Sequence, residues 1–218
     1  MMVRMAPETS TLADIGTDHA ILLAELVKTG KIKQGIGVEI AQGPYQRAVA
    51  NIELWGLTLQ LQMRMGDGLA PLAPGEATAC AIAGMGGLAI IRILEQHLVR
   101  AQEMEWLLLQ PMTGERQLRY FLQEHDWKIV EEELVEERGL IYQIMRVQGG
   151  YMPELKEEEA EFGPCLLAGG HPLLGTLLAQ RIKELQGIVS ALARASSEES
   201  QRKKRELLEQ IRKWELIT

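Results

Sequence analysis

The chain has 218 residues, of which 46% are hydrophobic and 24% charged, and it carries a formal net charge of -7. That length and apolar content support one large globular domain with a small appendage, and the acidic balance excludes a surface that grips nucleic acid on every side while allowing a local basic patch. Neither a run of about 18 apolar residues nor a basic segment leading into an apolar one stands at the N-terminus, so no membrane span or signal peptide is expected and the expected compartment is the cytoplasm.

In chain order, the stretch from Thr11 to Ala20 (TLADIGTDHA) reads as a strand ending in a ligand-binding turn. Leu12, Ala13 and Ile15 supply the apolar strand, Asp14 closes it, Gly16 lets the backbone turn, and Ala20 to Val27 continue at helical spacing. The turn is poor in glycine. A dinucleotide site wants G-x-G-x-x-G so that a pyrophosphate can rest on bare backbone, but Asp18 and His19 stand where the later glycines would be. Carboxylates at Asp14 and Asp18 would repel a pyrophosphate and suit the cationic sulfonium and amino group of S-adenosylmethionine. The plainer alternative is a solvated turn in which Asp18 caps the following helix.

Gly35 to Ile40 reads as a second strand ending in Glu39, where an adenosine ribose is commonly held, followed by a helix from about Pro44 to Trp55. Leu59 to Met65 alternates as a third strand with Gly66, Asp67 and Gly68 as its turn. Ala79 to Ala83 forms a fourth, leading into Gly84 to Gly87 and a helix through about Val99. Glu105 to Gln110 forms a fifth, then Pro111 and a helix through about His125. Strands alternating with helices at these intervals predict a parallel sheet covered on both faces. Lys128 to Val135 and Leu140 to Val147 break the rhythm as a hairpin around Gly139, an edge common in class I methyltransferases.

From Gly149 the composition shifts to an acidic linker and then two amphipathic helices. Leu173, Leu174, Leu177, Leu178, Ile182, Leu185, Ile188, Val189 and Leu192 share one stripe, and Leu207, Leu208, Ile211, Trp214 and Ile217 the other. With a break at Ala195 to Ser200, they predict an antiparallel coiled-coil hairpin. The domain boundary is therefore set at 149/150. Acid gathers in Glu131–Glu137 and Glu154–Glu161, whereas Arg202, Lys203, Lys204 and Arg205 form a basic cluster that is either a phosphate-contacting face or a solvated helix face. Cys80 and Cys165 lack metal-ligand spacing and read as free thiols, no metal site is expected, and His97, His125 and His171 read as ordinary boundary residues.

Taken together, ADIGTDHA, EIAQGPYQRAVAN, GDGLAPL, IAGMGG, LQP and the GLIYQI hairpin, in this order and spacing, resemble the bacterial tRNA (adenine 22, N1) methyltransferase family over nearly the whole chain. The resemblance implies an α/β fold with a Rossmann-like class I methyltransferase sheet, parallel with an antiparallel edge hairpin, and a C-terminal two-helix coiled-coil hairpin. It implies S-adenosylmethionine as methyl donor and tRNA as substrate, with residues 1–149 as the catalytic domain and 150–218 as the hairpin domain. Asp14, Gly16, Asp18, His19, Glu39, Asp67, Gly68, Ala83, Gly84, Met85 and Gly86 would line the cofactor, Asp18 being the catalytic group. Gln110, Pro111, Arg116, Arg119 and Arg202 to Arg205 would meet the RNA. Two positions depart from the family pattern: Pro7 restricts the helix that usually precedes the first strand, and Met112 stands where an asparagine is common. A monomer is expected. The competing readings are a non-catalytic adaptor that keeps the cofactor pocket and works through its hairpin, and an NAD-dependent oxidoreductase on the same sheet.

Overall fold

The computed structural model describes residues 1–192 and 197–217. The order begins with α1 (Met2–Met5), β1 (Thr9–Ile15), α2 (Ile21–Lys28), β2 (Ile32–Glu39), α3 (Gln42–Leu54) and β3 (Leu61–Met65). It continues with β4 (Ala79–Gly86), α4 (Gly87–Gln96), α5 (Leu98–Gln102), β5 (Trp106–Thr113) and α6 (Glu115–Glu124). The edge hairpin is β6 (Trp127–Glu137) and β7 (Leu140–Gly149), followed by α7 (Glu157–Phe162), α8 (Pro164–Gly169), α9 (Leu174–Leu192) and α10 (Glu198–Trp214).

The strands form one seven-stranded sheet in the order β3-β2-β1-β4-β5-β7-β6. β1 to β5 are parallel, and β7 runs antiparallel between β5 and β6, so the expected parallel sheet with an antiparallel edge is what forms. Both faces are covered because successive side chains point to opposite sides. Cys80, Ile82, Leu107 and Leu109 pack with Ile90, Leu94, Leu118 and Leu122 on one face, while Ala79, Ala81, Trp106 and Leu108 pack with Leu23, Leu26 and Ile52 on the other. The order reverses between β1 and β4, and the carboxyl ends of those strands open a crevice of the kind in which parallel sheets bind ligands.

Several boundaries differ from the sequence reading. α3 starts at Gln42, with Pro44 inside the first turn, where a missing N–H costs nothing. β5 continues through Pro111 to Thr113, because its pairing with β4 becomes irregular there and an irregular ladder tolerates proline. The helix expected through Val99 breaks at His97, after which α5 turns Ala101 into the core. Four residues form α1 ahead of Pro7.

The acidic linker is also more than a linker. It contains α7 and α8, which bury Ala160, Phe162 and Leu166. Met152, Leu155 and Ala160 join the same cluster as β5 and α6, so apolar packing runs across the 149/150 boundary. α9 and α10 pack on each other, with Leu174, Leu177, Leu178 and Trp214 buried against Phe162 and Leu134 at the base, while Ile188 is 48% exposed further along. Of the expected break, Glu198 to Ser200 are already helical, Ser197 caps α10 by accepting from the Ser200 N–H, and Ala195 and Ser196 lie outside the described residues.

Candidate functional site

A cavity of about 370 Å3 opens at the carboxyl ends of β1 to β4. Ile15 and Gly16 come from the first strand end, Val38 to Ile40 from the second, Gly66 to Gly68 from the third and Ala83 to Met85 from the fourth. Of the residues expected at a cofactor, Gly16, Glu39, Asp67, Gly68, Ala83, Gly84 and Met85 line this one space, while Asp14, Asp18, His19 and Gly86 stand outside its lining.

Glu39 is buried, and its Oε1 accepts the N–H groups of Ile40 and Ala41 at 2.9 and 3.0 Å. Its second oxygen makes no hydrogen bond among the described residues and is available to a hydroxyl pair. Asp67 is exposed on a turn closed by its own carbonyl to Ala70 N–H. Asp14 lies beneath the crevice, fully buried, with Thr17 Oγ1 donating to its Oδ2 at 2.5 Å. Burial raises its pKa to about 6, the Thr17 hydroxyl opposes that rise, and the nearby Glu39 charge adds to it.

Asp18 is placed differently. Its backbone has φ 41 and its half-exposed carboxylate lies 2.9 Å from Arg47 Nη2 and 3.4 Å from His19 Nε2. It does not cap α2: that position belongs to Ala20, at φ 57, with no side-chain cap. The helix begins without a cap because the turn is held from outside, by Arg47 and by Asn51 Nδ2 donating to the His19 carbonyl at 3.1 Å.

The wall between the cavity and the end of β5 is built by Gln110 and a close glycine contact. Gln110 Oε1 accepts the Gly84 N–H at 2.9 Å, and its Nε2 donates to the Pro111 carbonyl at 3.0 Å and sits 3.6 Å from Met112 Sδ. Both ends of this amide are therefore engaged with the protein. Pro111 is buried, whereas Met112 is 45% exposed. A Cβ on Gly87 would fall 2.4 Å from the Gly114 carbonyl oxygen, so only glycine lets the turns after β4 and β5 touch.

One whole wall escaped the sequence reading. Ala89, Arg92, Ile93 and Gln96 project from α4 into the cavity. Their i, i+3, i+4, i+7 spacing directly after a glycine turn was the available signal. Arg100 of α5 supports the turn after β3 by donating to the Leu69 carbonyl at 2.6 Å.

Among the residues expected to meet RNA, Arg119 must be corrected. It is wholly buried, its Nε and Nη2 on Glu132 Oε1 at 2.9 and 2.7 Å, Nη2 also on Gln143 Oε1 at 2.6 Å, and Nη1 on the carbonyls of Ala160 and Glu161 at 2.9 and 3.1 Å. Every guanidinium nitrogen is used inside the fold, so none is left for a phosphate. Nothing local to Arg119 in the sequence reveals that α7 folds over it. Arg116 stays at the surface, 3.2 Å from Glu157 and 5.7 Å from the Tyr120 ring centroid, and it lines a groove of about 410 Å3 with Lys203, Lys213, Glu206 and Glu209 of α10. In the basic cluster Arg202 and Lys203 each lie 3.7 Å from Glu206, while Lys204 and Arg205 have no ion-pair partner among the described residues.

Both cysteines are unbridged, and burial pushes the thiols up, Cys165 to about 11. No group of three or more potential metal ligands occurs among the described residues, and no helix there is long and apolar enough to cross a membrane.

Comparison with known proteins agrees with this geometry. Residues 12–216 match the model of a family described as TrmK, tRNA (adenine(22)-N(1))-methyltransferase. The tRNA (adenine(22)-N(1))-methyltransferase of Bacillus subtilis is 31% identical over 218 aligned positions, covering 94% of this chain and 89% of that protein. The crystal structure of the B. subtilis m1A22 methyltransferase TrmK superposes with a TM-score of 0.90 at 28% identity, over 99% of this chain and 95% of the other. The Streptococcus pneumoniae protein Sp1610, solved in complex with S-adenosyl-L-methionine, superposes with a TM-score of 0.87 at 35% identity, over 99% and 95% of the two chains.

Proposed function

The chain belongs to the tRNA (adenine(22)-N(1))-methyltransferase family, whose activity depends on S-adenosylmethionine, and from that premise we propose how its own residues divide the reaction. Family membership leaves neither the nicotinamide-dependent oxidoreductase nor the non-catalytic adaptor standing. The observation that carries the division is that turns from four adjacent strand ends, two of them bearing acids, enclose one cavity without a glycine-rich pyrophosphate turn.

S-adenosylmethionine supplies the methyl group. Glu39, with one oxygen fixed by backbone amides and the other free to accept, holds the ribose hydroxyls. Asp67 and Gly68, with the Arg92 and Gln96 face of α4, hold the adenine, and Gly16 and Ala83 to Gly86 the methionine end. Asp14 favours the cationic end from below, and a bound cation draws its raised pKa back down. His19 borders the methyl through the same turn that carries Asp18.

Adenine N1 has an in-plane lone pair and attacks without first losing a proton, so no strong general base is required. Positive charge develops on the ring instead, and we assign its stabilisation to the Asp18 carboxylate in the turn after β1. Alignment of the reacting atoms supplies much of the remaining rate. N1 lies on the Watson–Crick edge, so a paired adenine must swing out first. Residues 1–149 carry the chemistry. Arg116 of α6 and the Arg202–Arg205 cluster of residues 150–218 hold the RNA on a monomer while the base is out, and Gln110 acts by shaping the Gly84 turn at the base pocket.

The test is incubation with labelled S-adenosylmethionine and unmodified tRNA transcripts, followed by nucleoside analysis. Label in 1-methyladenosine at position 22 is the expected result. Label in another base or position would overturn the substrate assignment.

A further inference from the structure

Two contacts from α3 hold the turn after β1, and one of them conflicts with the role given to Asp18. Asp18 and Ala20 both adopt left-handed backbone, at φ 41 and 57, which residues other than glycine rarely adopt without outside support. Asn51 supplies that support through the His19 carbonyl, and Arg47 through the Asp18 carboxylate. Yet a guanidinium 2.9 Å away offsets the negative charge that Asp18 would present to an adenine.

The pair is built to be broken. Its side chains are 52% and 53% exposed, so water screens the attraction and little is lost when it opens. One turn before Arg47, α3 begins without a side-chain cap. The guanidinium lies back over that first turn, its Nη1 3.6 Å from where a Cβ on Gly43 would stand. Pro44 has no N–H and Tyr45 N–H is bonded to the Ala41 carbonyl, which leaves the Gln42 and Gly43 N–H groups beside the guanidinium on this turn to meet a phosphate diester.

We infer that Arg47 is a latch exchanged by the substrate. In the free enzyme it holds and neutralises Asp18. When tRNA docks, a backbone phosphate takes the guanidinium at the first turn of α3, and the Asp18 carboxylate is left uncompensated beside the incoming adenine. Asn51 keeps the turn in place throughout. Arg47 is thus a positioning residue whose charge passes from enzyme to RNA, and the carboxylate is unmasked only in the productive complex. This rests on the reading of Asp18 as the charge-stabilising group.

The test is a double-mutant cycle on the full chain, measuring tRNA Kd by fluorescence anisotropy at several salt concentrations, together with kcat and S-adenosylhomocysteine affinity. Arg47→Ala is expected to weaken tRNA binding about tenfold and to reduce the salt slope by about one, with kcat changed only a few-fold. Asp18→Asn is expected to tighten tRNA binding about two- to fivefold, because Arg47 no longer has to leave a partner, while lowering kcat. In the double variant that tightening disappears. Arg47→Lys, which keeps the charge, retains the salt slope.

Equal tightening by Asp18→Asn with or without Arg47 would mean general charge repulsion and would overturn the latch. So would an Arg47→Ala variant with unchanged Kd and salt slope, or one that loses S-adenosylhomocysteine affinity, either of which makes Arg47 a structural clamp only. An unchanged kcat in Asp18→Asn would instead remove the underlying reading of Asp18, whatever Arg47 does.

Discussion

Arg47–Asp18 and Arg119–Glu132 join the same two chemical groups at nearly the same separation, 2.9 and 2.7 Å, and the molecule uses them in opposite ways. The first pair is half exposed, between α3 and the turn after β1. The second is wholly buried where α6, β6, β7, α7 and the start of α8 meet. Water screens the first, so its partners can be exchanged at small cost. No water reaches the second, so each donor must keep its acceptor or the charge is stranded. Separation alone therefore says little about what an ion pair does, because burial and the accompanying hydrogen bonds decide it.

The junction should break hardest. Arg119→Ala leaves the buried Glu132 carboxylate without its partner and should cost about 3–5 kcal/mol, lowering the melting temperature by roughly 10 °C in calorimetry. Arg47→Ala should leave the melting temperature within about 2 °C. Equal losses from both would erase the contrast. Gly163 sharpens it further: its φ is 98, and a Cβ there would lie 2.5 Å from Glu132 Oε2, so the fold surrenders side-chain space at this point to keep the carboxylate in place.

Asp14 lies between the two extremes, buried like the junction but without a cation. Its folded pKa of about 6 lies above its ordinary 3.8, so folding favours the protonated acid. That contribution is fully present below about pH 4 and is lost as pH rises through about 6, amounting to about 3 kcal/mol. Asp14→Asn cannot ionise. Denaturant unfolding at a series of pH values should show it gaining on the wild type by about that amount between pH 4 and 7.5, and a constant difference would refute the buried-acid account.

In the cavity itself, Glu39→Ala should weaken S-adenosylhomocysteine binding about 10- to 100-fold by calorimetry, the cost of losing hydrogen bonds to a charged group. The smallest effects belong to the surface cluster. Arg205→Ala should leave stability within about 0.5 kcal/mol and weaken tRNA binding only a few-fold, with a salt slope reduced by about one. Arg202→Ala should do less, since Arg202 already lies near Glu206.

The strand ends are legible in the amino-acid sequence because their signals are local. An apolar run closed by Asp14, then by Glu39, then by the Gly66–Gly68 turn, places acids along one edge once the strands are parallel. The edge hairpin and the paired amphipathic helices are legible from their periods for the same reason. Arg119 is not. Its position on α6 is equally consistent with a surface arginine, and only the folding of α7 over it supplies the carbonyls of Ala160 and Glu161. The segments of α7 and α8 likewise read as linker, because six-residue helices have no stability of their own and form only when Phe162 and Leu166 find a core.

The sequence by itself therefore determined the class of fold, the family and the residues at the ends of β1 to β4, since each follows from spacing within a short segment or from motifs in a fixed order. Tertiary structure decided which charges face water. It buried Arg119, left Arg47 on Asp18, engaged both ends of Gln110, and turned the Arg92 face of α4 into the cavity. Those outcomes depend on distant segments approaching within a few ångströms, and the energy of a charge depends on that approach far more than on its neighbours along the chain.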